Sequence, residues 1–447
     1  MSYLNQNFLN CDNCIAALNK SDTFKNATEK ANKYIEKLEL PESLQICTQN
    51  SDITELINIC DNLKNRNVVI LGIGGSSLGG QAIHEFATKY NKPITMSQKQ
   101  QPLKDEDFSF KNTNLYFFDN IDIDYFDKIL DIENPFVIVI SKSGETTETL
   151  MQLEFIIDII KSKNFLIITE NKDSSLIRIA KCYKIPVLEH NKNIGGRFSI
   201  FSNVGLIPAI LSDVDPFIFR ENAAKSFEEL KSEIAKAAAI NYTLQNSGLN
   251  ISPMMIYSDR LQKFGDWFTQ LWSESLGKNG YGSTPITMLG TTFQHSILQL
   301  FLSGPNDKYF TVISENKQKQ SSKNLLGDVI GNIMALNDES STVSNFFDKT
   351  DSRDFANISP TLSYLKDKSM DEVFKAERDA VIKALIESGK PVRHISLSFE
   401  NIENVGMLFS YFMLETIVTA ELFGIDPFTQ DSVEKVKILT KQLLGEK

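Results

Sequence analysis

Two short segments gather backbone donors and hydroxyls where a strand should end and a helix begin. The richer is Ser141-Lys142-Ser143-Gly144-Glu145-Thr146-Thr147-Glu148-Thr149, which follows the apolar run Phe136–Ile140. A lysine, several hydroxyls and the open N–H groups of a helix start make a phosphate cradle assembled without metal. Ser and Thr also cap helices, but a cap uses one or two such residues and this loop offers five. Thr149 lies three residues beyond Thr146, so both can face one side. The other segment, Gly72-Ile73-Gly74-Gly75-Ser76-Ser77, follows Asn67–Leu71. Its glycines let backbone N–H groups approach oxygen atoms. Alone, it suits an anionic ligand and tight turn packing equally well. Its spacing is neither a Walker loop nor a clear dinucleotide fingerprint.

Acid–base candidates lie further along. Gln270 and Glu274 are four residues apart on an expected helix and share a face. A glutamate held among apolar neighbours can act as base and then acid, although most helix glutamates are solvated. Arg197 follows Gly195 and Gly196. An always-charged guanidinium suits fixed electrostatic work, and a surface salt bridge is as good a reading. The four histidines are His84, His190, His295 and His394, and a lone histidine is more often structural than catalytic. Lys437, near the chain terminus, reads by itself as a solvated charge. Cys11-x-x-Cys14 has no second ligand pair, so it reads as two incidental thiols.

The elements that must position these residues alternate. Residues 1 to about 60 read as helical. Short apolar runs follow at Asn67–Leu71, Leu115–Phe118, Phe136–Ile140, Phe165–Ile168 and Ile185–Leu188. Helical patterns at Ser77–Tyr90, Thr146–Lys161 and Ser174–Tyr183 lie between them. This predicts βαβ units and a mostly parallel, doubly wound sheet. Helices are expected at Phe201–Ile210 and Lys225–Ala239. A second alternation begins at Pro253-Met-Met-Ile-Tyr, with a helix at Asp259–Ser275. Further strands are expected at Ile286–Leu289, Tyr309–Ile313 and Arg393–Phe399, and a long helix at Ile402–Phe423. The resulting division is a helical extension (1–60), a first α/β domain (61–229), a second (230–424) and a C-terminal helical segment (425–447). Outside its strand, Asn306–Lys323 is polar and expected to be a mobile surface segment.

Composition bounds the class. The 447 residues are 42% hydrophobic and 23% charged, which fits a globular chain with large cores. Forty-six basic against 57 acidic residues give a net charge of −11. That excludes the basic surface of a nonspecific nucleic-acid binder, while a local pocket can still be positive. Met407–Ile425 is interrupted by Glu415 and Glu421 and reads as a buried amphipathic helix rather than a membrane span. The N-terminus shows no secretory signal. The five cysteines are scattered, as expected for reduced thiols in a cytoplasm.

Gly72-Ile-Gly-Gly-Ser-Ser with Ser141-Lys-Ser-Gly-Glu-Thr-Thr-Glu-Thr resembles the sugar isomerase (SIS) domain. Four further segments narrow the resemblance to the glucose-6-phosphate isomerase family. They are Gly195-Gly-Arg-Phe-Ser, Phe268-Thr-Gln-Leu-Trp-Ser-Glu274-Ser-Leu-Gly-Lys, Gln294-His295-Ser296 and Gln430-Asp-Ser-Val-Glu-Lys-Val-Lys437. They occur in the family's order and span about residues 70–437. Asp431 and Ser432 stand where the family usually has proline and glycine. Both are good helix N-caps, and Glu434 falls three residues after Asp431 as a capping box requires. Ser77 replaces a frequent aspartate and Ser143 a frequent threonine.

The resemblance implies two SIS-type α/β domains and an aldose–ketose isomerase. It would interconvert glucose 6-phosphate and fructose 6-phosphate through a cis-enediolate, in glycolysis and gluconeogenesis. Glu274 would be the base, Arg197 the enediolate stabiliser, and His295 and Lys437 the ring-opening groups. Gly74, Gly75, Ser76, Ser141, Lys142, Ser143, Thr146 and Thr149 would bind substrate, with Gln270 and Gln430 on sugar hydroxyls. No metal or cofactor is expected. The family's histidine comes from the neighbouring subunit, which implies a homodimer. The alternatives are an isomerase of another sugar phosphate, such as mannose 6-phosphate, and a non-catalytic sugar-phosphate sensor.

Overall fold

The computed structural model describes residues 4–88, 110, 112–160, 162–316, 364–365, 368–399 and 401–445. Part of the expected surface segment, 317–323, lies outside the described residues, as do Tyr90 and Lys161 at the ends of expected helices.

The N-terminal extension departs from the all-helical expectation. Leu4–Leu9 is a strand, β1, followed by α1 (Cys11–Ala17), α2 (Ser21–Lys37), α3 (Glu42–Gln45) and α4 (Ile53–Asp61). β1 is only six residues long and half of them are polar, so nothing local marks it. Its strand character comes from pairing with a strand nearly 400 residues away in sequence.

The first sheet contains β2 (Asn67–Leu71), β3 (Asn114–Phe118), β4 (Phe136–Ile140), β5 (Phe165–Thr169) and β6 (Val187–Glu189). All pair in parallel, in the order β3-β2-β4-β5-β6. Alternate residues point to opposite faces. Val69, Leu71, Val137, Val139 and Ile167 feed one core, and Val68, Ile70, Ile138, Ile140 and Ile168 the other. Burial on both faces explains why these strands read as unbroken apolar runs. The accompanying helices are α5 (Leu78–Thr88), α6 (Ile123–Phe126), α7 (Thr147–Ile157) and α8 (Ser175–Tyr183).

Three helices link the sheets: α9 (Asn203–Ile210), α10 (Pro216–Glu229) and α11 (Lys231–Gln245). The single helix expected over Lys225–Ala239 is thus two, divided at Leu230. No glycine or proline marks the break. Both helices pack on the long helix Val405–Phe423; α11 also lies along α2, and α10 reaches the 3₁₀ turn Ile46–Thr48.

The second sheet has β7 (Ile251–Tyr257), β8 (Thr284–Leu289), β9 (Phe310–Glu315) and β10 (Val392–Leu397), with α12 (Gln262–Leu276), α13 (Gly290–Ser303) and α14 (Met370–Glu387). Its order is β1-β10-β9-β7-β8, parallel except that β1 runs antiparallel on the edge. Helices α15 (Val405–Phe423) and α16 (Glu434–Leu443) follow. The glutamates of α15 suggested an amphipathic helix, but it is buried nearly all round. It is long and apolar enough to cross a membrane, yet 94% of its apolar window lies inside the protein. Glu415 is accommodated there by the equally buried Arg393 of β10, at 2.7 Å.

Candidate active site

β2 and β4 are neighbours, while β3 lies on the far side of β2. Their carboxyl ends therefore flank the point where the chain reverses its direction of progress across the sheet, the usual place for a ligand. Both loops singled out in the sequence leave from there.

The glycine loop turns through Gly74–Ser76, with Gly74 in the left-handed region at φ 57°. The glycines serve close approach. A Cβ on Gly75 would collide with the backbone of Gly196 and Arg197, and one on Gly74 would lie 2.9 Å from the Gln270 amide nitrogen. Ser76 is half-buried beside them.

In the second loop, Ser141 is buried and its Oγ is 2.8 Å from Thr146 Oγ1. Thr146 occupies the N-cap position of α7, yet its hydroxyl caps no backbone N–H. Capping therefore does not account for it. Ser143 Oγ accepts from the Glu145 N–H at 3.1 Å, and Gly144 supplies φ 69°. Lys142 lies 3.6 Å from Glu170. Burial pushes the Lys142 amine down from its ordinary value, Glu170 opposes this, and Arg197 adds a smaller downward push. Lys142 thus lies within reach of the Arg197 charge. Thr149 is wholly covered, and its hydroxyl has no hydrogen-bond partner among the described residues.

Arg197 sits on the turn Gly196–Phe201 with its side chain 2% exposed. Nε donates to Ser275 Oγ at 2.9 Å. Nη1 donates to Glu274 Oε2 at 3.1 Å and Gln430 Oε1 at 2.6 Å, and Nη2 to the carbonyls of Pro427 and Thr429 at 2.5 and 3.0 Å. Burial lowers the guanidinium from its ordinary value, and Glu274 and Asp426 oppose it. An arginine guanidinium keeps its charge at neutral pH.

Glu274 accepts from Gln270 Nε2 at 2.9 Å, as expected for partners one helical turn apart. Its surroundings differ from the apolar pocket expected of a base. A guanidinium and an amide face it, and the side chain is 27% exposed. Gln270 Oε1 is buried without a partner among the described residues.

Two further candidates lie on exposed helix positions. His295 is exposed on α13, while its neighbour Gln294 is held by Tyr257 and Glu377. Lys437 is exposed on α16. The segment before it begins with a 3₁₀ turn at Asp431–Val433, and Val433 rather than Asp431 takes the N-cap position of α16. The other histidines have local partners: His84 with Ser212, His190 with the Asn191 carbonyl, and His394 with Ser314. Ser275 and the 427–429 carbonyls escaped sequence reasoning. Only their adjacency to Glu274 and Gln430 could have flagged them. Among the described residues, no group of three or more His, Cys, Asp or Glu side chains converges as a metal site.

Known proteins with this sequence pattern share the fold. A structure of a hypothetical protein from Thermus thermophilus superposes with a TM-score of 0.73 at 24% identity, covering 99% of this chain and 100% of that one. A glucose-6-phosphate isomerase structure from Chlamydia trachomatis gives 0.62 at 19% identity, covering 94% and 78%. In sequence, the chain is 30% identical to the "Probable glucose-6-phosphate isomerase" of Methanococcus maripaludis, over 95% of this chain and 90% of that one. It is 31% identical to the glucose-6-phosphate isomerase of Rubrobacter xylanophilus, over 84% and 82%. The family model for phosphoglucose isomerase matches residues 60–447, and the chain belongs to that family.

Proposed function

We propose that the protein interconverts glucose 6-phosphate and fructose 6-phosphate in the cytoplasm. The observation that carries this reading is the setting of Arg197: a buried cation held by four other groups, with Glu274 on one edge and the glycine loop behind it. Aldose–ketose isomerisation needs a base that moves one proton between C2 and C1 and a fixed cation for the enediolate oxygen.

The phosphate sits on Ser141, Lys142, Ser143 and Thr146, and Gly74, Gly75 and Ser76 of the glycine loop line the sugar beside it. Thr149 supports the loop from inside. Glu274 takes the C2 proton and returns it to C1. Arg197 faces the developing oxyanion already desolvated, so it needs no reorganisation as charge forms. Gln270 and Gln430 hold sugar hydroxyls. Gln270 Oε1, which has no partner among the described residues, can accept from one of these hydroxyls.

Ring opening falls to His295 of the partner subunit, with Lys437. This homodimer reading is supported by the exposure of His295 on a helix that also exposes Phe293 and Leu300. A second copy covering that face would bury apolar surface and bring an imidazole to the site.

The test is a coupled assay with fructose 6-phosphate that reads glucose 6-phosphate formation, with and without chelator, alongside mannose 6-phosphate. Turnover of the fructose ester, insensitive to chelator and far above the mannose ester, is expected. Turnover of mannose 6-phosphate alone would replace this reading with the other isomerase.

A further inference from the structure

The second sheet repeats the strand arrangement of the first. β7 has β8 on one side and β9 on the other, as β2 has β3 and β4. The carboxyl ends of β7 and β9 thus flank a second point where the chain's progress across the sheet reverses, a place that ordinarily receives a ligand. Here the chain fills it from within. Arg260, three residues beyond β7, donates from Nε to Glu315 Oε2 at 2.9 Å and from Nη2 to Glu315 Oε1, and Ser258 Oγ donates to Oε2 at 3.0 Å. Glu315 ends β9. The two side chains are 13% and 6% exposed. The guanidinium lies over the Phe86 ring at 4.2 Å and within 5.3 Å of the Phe399 ring, and those rings meet edge-on.

Phe86 belongs to α5, the helix that continues from the glycine loop. Arg260 lies two residues before α12, the helix that carries Gln270 and Glu274. Resting on the isomerase reading above, we propose that Arg260 is a positioning residue that sets α12 against α5, and so sets Glu274 and Gln270 against the glycine loop. The fork of Arg260 fixes direction on Glu315, and its flat face fixes distance to Phe86. Lysine can do neither. The Ser141–Thr149 loop leaves the end of β4 in the first sheet, whereas the clamp's partners are Ser258, Glu315, Phe86 and Phe399. Disturbing the clamp should therefore move the base and leave phosphate binding alone. A misplacement of about 1 Å costs roughly 100-fold in rate.

The test compares Arg260→Met, Arg260→Lys and wild type in the fructose 6-phosphate assay, with inorganic phosphate as competitive inhibitor and urea unfolding alongside. Expected is a fall in kcat of fivefold or more in Arg260→Met and a smaller one in Arg260→Lys, with the phosphate inhibition constant within twofold of wild type. A folded variant that keeps kcat within that fivefold limit, or loses phosphate affinity in step with kcat, overturns the proposal. A purely structural role would lower the unfolding midpoint and leave kcat of the folded enzyme intact. If Arg260→Met does not fold, Glu315→Gln takes its place under the same limits. An inactive wild type would overturn the isomerase reading and this inference together, whereas an active wild type with active variants overturns this inference alone.

Discussion

Ser141 and Thr146 meet through their hydroxyls at 2.8 Å, so each orients the other. Partners in one hydrogen-bonded unit are not additive. Ser141→Ala should therefore raise KM nearly as much as Ser141→Ala with Thr146→Ala, and kcat should fall somewhat, because remote phosphate binding helps align the reacting carbons. A double-mutant cycle in kcat/KM measures this; fully additive effects would show two independent contacts. Two histidines act on stability. Burial lowers His84 to about 4 and, with Arg378 assisting, His394 to about 4, against an ordinary 6.5. Above pH 6.5 both are neutral in folded and unfolded chains. Between 6.5 and 4 the unfolded chain takes up protons that the folded one refuses, so stability falls as pH falls. By pH 5 the loss is about 2 kcal/mol per histidine. Urea midpoints at pH 7.5 and 5 should show it, and His84→Gln should show a smaller difference. Equal pH dependence in the two proteins would mean that His84 carries none of it.

At the scale of elements, β1 is joined to the second sheet by more than its ladder. Arg393 of β10 donates to Glu415 of α15 through both terminal nitrogens, to Tyr411, and to Gln6 of β1. Asn241 of α11 also donates to Glu415. One buried charge pair thus fastens an edge strand, a central strand and two helices. Removing one partner leaves a buried charge unpaired, which costs about 3–5 kcal/mol. Arg393→Met should lower the urea midpoint accordingly, and Arg393→Met with Glu415→Leu should recover much of it. A double variant as unstable as the single would show that the wider network, not the lone charge, sets the cost.

At the scale of the molecule, the proposed site takes its histidine from a second subunit. Hydrogen bonds join Arg197, Glu274, Gln270 and Gln430 and the glycine loop abuts them, while His295 lies exposed on α13. If each site takes its glutamate from one subunit and its histidine from the other, inactive Glu274→Gln and His295→Ala chains should complement. Random exchange would restore activity up to about a quarter of wild type, since half the dimers are mixed and each has half its sites intact. Either mutant alone should be down roughly 10²–10⁴-fold. No recovery after proven exchange would put His295 in the same chain's site or outside catalysis.

The amino-acid sequence by itself determined what is local. The runs at Val68–Leu71, Phe136–Ile140 and Phe165–Ile168 became the buried strands they resemble, and the loops after the first two leave neighbouring strand ends. Uninterrupted apolar residues between turn signals have few other folded states, and a loop's hydroxyls and glycines travel with it. The tertiary structure alone decided which distant groups meet. Arg197 finds Glu274 and Gln430, 77 and 233 residues away, and Arg260 finds Glu315 and Phe86. The same holds for the strand β1, the break at Leu230 and the polar setting of Glu274. Each depends on a partner that only the packing of sheets and helices brings within reach, and a side chain's periodicity records which face it occupies, not what stands opposite.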